Sequence, residues 1–280
     1  MSLGAAQVLA RAGGWQILRQ PGADLSALLI GRPVDQVAAL LPRLFNLCRR
    51  AQSAAACLSL GLPVAGDTGD EVVQDHLARL FVTLRRAFGL APLRPDPAAL
   101  IALPERLADL DGWLAASGPL AELGRAVEGS FAPGVGVVPA LPEPHGAEFG
   151  AFENSPAGRQ RAHPLLRALE ARQGRGPLWR FLGLVADLAA APALAAPQRL
   201  ADGTALVQAA RGVYALRLDQ AGGRVTGVLR RTPTDHQLAP GGALALALAS
   251  LPADRDDLAR RLIALHDPCV PVTVGQVQHA

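Results

Sequence analysis

The sequence predicts an α+β protein, mostly α, with a small antiparallel sheet in its last third. Half of the 280 residues are apolar and only 18% are charged, which excludes a disordered chain, where high charge and low hydrophobicity prevent burial. Before Pro197 apolar residues recur at helical spacing; after it they alternate or run β-branched. The expectation is a single domain over residues 1–280, helical over 1–196, with the sheet and a last helix over 197–280. The most apolar run, residues 241–251, is about half the roughly 20 residues of a membrane-spanning helix. The N-terminus lacks the basic and apolar regions of a signal peptide, so a cytoplasmic protein without a membrane partner is expected.

Taken in order, Pro33 followed by Val34, Val37, Ala38, Leu40 and Leu41 predicts a short helix that Pro42 interrupts. Residues 49–60 are Ala-rich and favour a second helix. Cys48 then stands at its start, where backbone N–H groups and Arg49 or Arg50 favour a thiolate. Thr68-Gly69-Asp70-Glu71 has the form of a capping box. Val73, Leu77, Leu80, Phe81, Leu84 and Phe88 line one face of the helix that follows, and Gly89 stops it. His76, beside that stripe, reads as a hydrogen-bonded histidine at the edge of the core.

Residues 91–97 form a turn-rich connector, 100–127 a broken helix, and 129–156, rich in Pro and Gly, an extended loop. Helices are expected at 159–172 and 178–190, and strands at 204–209, 213–218 and 224–229, the last two joined by Gln220-Ala221-Gly222-Gly223. Leu258, Leu262, Ile263 and Leu265 define a final helix over 255–265, halted by His266-Asp267-Pro268.

All 27 basic residues are Arg, and the net charge is +3. The Arg pairs are scattered and aromatics make up 4%, so the basic stripe of a nucleic-acid binder is missing. The three cysteines do not form a secreted disulfide framework. Cys57, in an apolar stretch, reads as a small buried hydrophobe. There is no phosphate loop, nucleophile elbow, His-Glu-x-x-His or Cys-x-x-Cys element, and the histidines are dispersed.

Cys48 and Cys269 stand in special surroundings. The stretch from Arg43 to Gln52 resembles the N-terminal metal motif of nickel–iron hydrogenase large subunits, Arg-x-Cys-Gly-x-Cys-x-x-x-His. Arg43 and Cys48 match, while Phe45, Asn46 and Gln52 replace the first Cys, the Gly and the His. The stretch from Asp267 to Gly275 resembles the C-terminal motif Asp-Pro-Cys-x-x-Cys-x-x-His, with Asp267, Pro268 and Cys269 matching and Val272 and Gly275 in place of the second Cys and the His. Between them, residues 208–212 resemble Glu-Ala-Pro-Arg-Gly through Arg211, and 232–240 resemble Pro-Ser/Thr-Thr-Trp-Asn-x-x-Pro through Pro233 and Thr234. Residues 73–76 match a helix of the same subunits, and Ser26 stands where the family's proton-handling glutamate lies.

The resemblance implies a truncated large-subunit-like helical core with one thiolate left per motif, too few to bridge nickel and iron. Hydrogen turnover is not implied, and nickel is not expected. The pattern is most similar to hydrogenase expression/formation proteins of the HupK/HoxV type, degenerate relatives of the large subunit. It implies a non-enzymatic scaffold on which iron with cyanide and carbon monoxide ligands is held by Cys48 and Cys269. Arg211 and Thr234 would serve the cyanides, with Pro233, Arg43 and Asp267 around them and His76 or His266 nearby. Implied partners are the small iron-carrying chaperone with its complex and the apo large subunit. A metal-free interaction protein, or a small metalloenzyme using both cysteines and a His around zinc or iron, remains an alternative reading. The chain stops five residues after Gly275, so no proteolytic removal of a C-terminal peptide is expected.

Overall fold

A computed structural model describes residues 4–11, 14–44, 48–66, 68–96 and 102–276. The chain opens with a hairpin rather than a helix: β1 (Gly4–Arg11) pairs antiparallel with β2 (Gly14–Pro21). The helical expectation for residues 1–196 is corrected there. Ala6 and Val8 of β1 point into the core, and the strand's second edge pairs in parallel with β7 (Val272–Gln276). That partner comes from the far end of the chain, so no local pattern announces it.

Helices α1 (Leu25–Leu29), α2 (Val34–Leu44) and α3 (Arg49–Leu60) follow. Pro42 does not break α2 but sits inside its last turn. Helix α4 (Gly69–Ala78) runs through a π turn at Arg79–Thr83 into α5 (Leu84–Ala87), a local widening that often accompanies function. The expected broken helix becomes α6 (Leu110–Ala115) and α7 (Pro119–Glu128); its expected start at Leu100 lies outside the described residues. The next expected helix is split by Pro164 into α8 (Pro156–Arg159) and α9 (Pro164–Gln173), ahead of α10 (Pro177–Ala190).

The expected antiparallel sheet is present, in the order β3 (Gln198–Arg199), β4 (Ala205–Ala209), β5 (Gly212–Ala221) and β6 (Arg224–Arg231). Helices α11 (Pro233–Gln237), α12 (Ala243–Ala249) and α13 (Asp256–His266) complete the chain before β7.

Helix α10 is apolar nearly all round and buried from Pro177 to Leu188, as a helix in the middle of a core must be. Trp179, Phe181 and Leu182 pack with Phe81, Leu84, Leu165 and Leu166. Gly183 lets α8 approach, since a Cβ there would lie 2.2 Å from that of Ala157. The small alanines of α3 seat it on β4 and β5. A third cluster joins β1 to α12 and α13. This packing brings the start of α3 and the end of α13 to the same place. No described helix is long and apolar enough to cross a membrane.

Candidate metal-handling site

Among the described residues, two that are not glycine have positive φ: Cys48 at 57° and Asp267 at 47°. Such conformations cost an ordinary side chain free energy and concentrate at functional sites. Cys48 is the N-cap of α3, and Asp267 caps the end of α13, two residues before Cys269. The strained positions therefore coincide with the two cysteine motifs.

The centre of the site is Arg211, in the turn between β4 and β5 and only 6% exposed. Its Nε donates to the Asp267 carbonyl at 3.2 Å and its Nη1 to Asp75 Oδ1 at 3.0 Å, while Nη2 lies 2.8 Å from Asp267 Oδ2. Gly212 makes this turn feasible. Its φ is 135°, and a Cβ would collide with Asn154, whose side chain pairs with both backbone groups of Val213 and with His236 Nδ1. Burial works against the Arg211 cation, but Asp267, Cys269, Asp75 and Cys48 outweigh it and raise its pKa.

Burial pushes the Cys48 thiol up to about 12; Cys269, Asp75 and Glu71 push the same way, and Arg211 opposes them. The expected thiolate is thus corrected to a thiol. Burial is the chief physical reason, and Glu71 adds to it, because its carboxylate occupies the start of α3 and accepts the N–H groups of Arg50 and Ala51 at 2.9 and 3.2 Å. The capping box expected at Thr68 is absent, as Thr68 makes no side-chain cap; Glu71 caps the neighbouring helix instead. Cys269 is also raised, by burial first, against the lowering pull of Arg211 and a hydrogen bond with Thr234. The Thr234 hydroxyl accepts the Cys269 N–H at 2.7 Å.

Pro233 is buried as the first residue of α11, and a capping box of Thr232 and Asp235 holds that helix. Arg43 is exposed in the last turn of α2; Phe45 and Asn46 of the same motif lie outside the described residues. His76 is fully buried, with Nε2 2.7 Å from Asp187 Oδ2. His266 is held neutral: burial, then Arg180 and Arg79, push its pKa well below the usual value. Cys57 is half-buried near the end of α3, where its carbonyl accepts the Leu62 N–H.

Sequence reasoning gave Asp267 a place in the site but missed the carboxylates of Asp75 and Asp187. Asp75 holds Arg211, and Arg79 Nε lies 3.0 Å from Asp267 Oδ2. Behind them Asp187 receives Arg159 through Nε and Nη2 at 2.8 and 2.5 Å, and Gln160 at 2.8 Å. The Arg211–Asp75 and Arg79–Asp267 pairs join residues more than a hundred positions apart, and Arg159 and Gln160 reach Asp187 across 28 and 27, so no local motif shows any of them.

The donor set is therefore two soft sulfurs beside a buried guanidinium. Three of the five Arg211 N–H groups face Asp75 and Asp267, which leaves two for an acceptor held by the sulfurs. Among the described residues no three His, Cys, Asp or Glu side chains are placed to hold a metal ion. Two sulfurs alone do not make up the four donors that close a structural metal cage.

No protein-family model matches the chain. The sequence is 48% identical over 272 residues, 91% of this chain and 91% of the relative, to the hydrogenase expression/formation protein HupK of Rhodobacter capsulatus. The fold is similar to the reduced Ni-Fe-Se hydrogenase from D. vulgaris Hildenborough, with TM-score 0.55 and 13% identity over 92% of this chain and 94% of that one. It is also similar to the reduced, active Ni-Fe-Se hydrogenase from Desulfomicrobium baculatum, with TM-score 0.56 and 11% identity over 94% and 95%. At such identities the likeness concerns the fold, which is that of the hydrogenase large subunit.

Proposed function

The chain belongs to the HupK family of hydrogenase expression/formation proteins, and on that premise we propose that it is a non-enzymatic scaffold for the hydrogenase iron fragment. Cys48 and Cys269 hold, as thiolates, an iron that carries cyanide and carbon monoxide, for delivery to the apo large subunit. The observation that most supports this reading is the convergence of both cysteines on the buried Arg211. Thiolates suit iron, and a pair of them leaves the metal able to move to a site offering four. The two unengaged Arg211 N–H groups serve a cyanide nitrogen, which would otherwise be buried without a partner at high cost.

Iron uptake is coupled to proton loss. With Cys48 pushed up to about 12, both cysteines are thiols in the iron-free protein, and iron must displace their protons. Affinity therefore rises with pH, and a weakly held fragment is easily passed on. The donor is the small iron-carrying chaperone and its complex, in the cytoplasm, and nickel does not enter.

A metal-free docking body is the second reading, favoured by the same raised thiols. Infrared spectra of protein purified anaerobically from hydrogenase-producing cells separate the two. The scaffold predicts cyanide and carbonyl stretches that vanish in Cys48→Ala and Cys269→Ser. Their absence from the parent protein, with partner binding intact, leaves the docking body.

A further inference from the structure

Val213, two residues past Arg211, lies beyond the reach of β6, whose pairing with β5 stops at Arg231 and Ala215. The amide of Asn154 takes the place of the missing strand. Its Oδ1 accepts the Val213 N–H at 2.6 Å, and its Nδ2 donates to the Val213 carbonyl at 2.9 Å. Nδ2 also donates to His236 Nδ1 at 3.0 Å, while His236 Nε2 faces the Glu148 carbonyl at 3.0 Å. A carbonyl only accepts, so Nε2 carries the imidazole hydrogen and Nδ1 is the acceptor. Asn154 and His236 are 3% and 1% exposed, and each polar atom of both side chains is engaged. A buried network satisfied in this way rigidifies what it touches.

Asn154 is itself anchored on both sides. Glu153 before it pairs with Arg180 at 3.2 Å, and the Ser155 hydroxyl after it caps α8 by accepting the Gly158 N–H at 3.0 Å. His236 shares α11 with Thr234, whose hydroxyl holds the Cys269 N–H at 2.7 Å. The Cys269 loop in turn meets Arg211, whose Nε donates to the Asp267 carbonyl at 3.2 Å. The circuit is closed: residues 211–213, 267–269 and 234–236 are short stretches of chain joined by these hydrogen bonds, with Asn154 linking the last to the first.

We infer that Asn154 and His236 are positioning residues for the iron fragment. Acting through Arg211 rather than on the cargo, they fix its guanidinium against the Cys269 loop, as a functional group is held by the hydrogen bonds behind it. What the circuit serves rests on the scaffold reading; its geometry does not.

Two substitutions open the circuit: Asn154→Leu, at similar volume, and His236→Phe, which keeps a ring beside Phe152. In the iron-free full chain, each is combined with Arg211→Met and followed by urea unfolding. An Arg211 no longer held on Asp75 and Asp267 has less to lose, so the drop in folding constant caused by Arg211→Met should shrink at least several-fold. Leu165→Ala, in the core around α10, should leave that drop unchanged. Infrared spectra of protein from hydrogenase-producing cells give the second readout. Hydrogen bonding at nitrogen raises a cyanide stretch, so both variants should move the cyanide bands to lower frequency at undiminished intensity. His236→Phe should add no shift to that of Asn154→Leu. Full additivity with Arg211→Met, or cyanide bands unmoved by both variants, overturns the inference. A parent protein without cyanide bands removes the scaffold reading instead, and the unfolding cycle alone then decides whether Asn154 and His236 position Arg211.

Discussion

The Thr234 hydroxyl accepts the backbone N–H of Cys269 at 2.7 Å, tying the start of α11 to the loop that carries one sulfur. The same side chain hydrogen-bonds the thiol and lowers its pKa against the upward pull of burial. One hydroxyl thus bears on both the position and the proton affinity of Cys269, with burial the larger influence on the latter.

Thr234→Val removes both contacts at nearly constant volume. An unpaired buried N–H is expected to cost about 1–3 kcal/mol, read by urea unfolding. In a Cys48→Ala, Cys57→Ala background, alkylation of Cys269 should move to higher pH. An unmoved profile would show that the hydroxyl does not touch the thiol.

Arg211→Met leaves Asp75 and Asp267 without their shared cation. Breaking a buried pair in this way is expected to cost about 3–5 kcal/mol. Arg79 still contacts Asp267, so adding Asp75→Asn should restore part of the loss. Strict additivity of the two substitutions would mean that the residues are not coupled.

Burial works to raise Asp75, yet His76, Arg211 and Arg79 prevail and hold it at about 2. Asp187 is likewise lowered, through Arg159 and His76 and in spite of burial. A depressed carboxylate stabilises the fold fully above its ordinary pKa and loses that effect as pH falls through the folded value. The loss is therefore expected between about pH 4 and pH 2, with Asp75 contributing roughly 2 kcal/mol. Asp187→Asn should lower stability at neutral pH and flatten the acid limb; an unchanged limb would exclude its pairing with Arg159.

Glu71→Ala gives two readouts of opposite sign. Loss of the α3 cap should destabilise the protein by about 1–2 kcal/mol. Because the Glu71 charge helps to raise Cys48, the thiol should become more reactive near neutral pH. Glu71→Gln, an acceptor without charge, should keep most of the stability and the full gain in reactivity. Slower alkylation of Cys48 would contradict the arrangement.

The helices on which the site stands were legible wherever one residue run carries its own signal. The apolar stripe from Val73 to Phe88 and the alanines of α3 are such runs. The hairpin β1–β2 was not legible, because Ala-rich β1 is a strand only through its partners β2 and β7. The alternation in Ala243–Ala249 resembles a strand, yet the segment is helical, since Ala and Leu favour helix and the neighbouring α13 covers it. In the site, Cys48, Cys269, Arg211 and Thr234 were legible through short motifs. Asp75, Asp187 and Glu71 were not, because a carboxylate acquires its role from a distant partner.

The most direct test is iron-edge X-ray absorption on protein isolated anaerobically from cells making hydrogenase. A scaffold holding its cargo through Cys48 and Cys269 predicts two sulfur neighbours per iron together with a shell of short-bonded carbon, and Cys48→Ala should abolish the signal. Iron without a sulfur shell, or the same spectrum in Cys48→Ala, would contradict it.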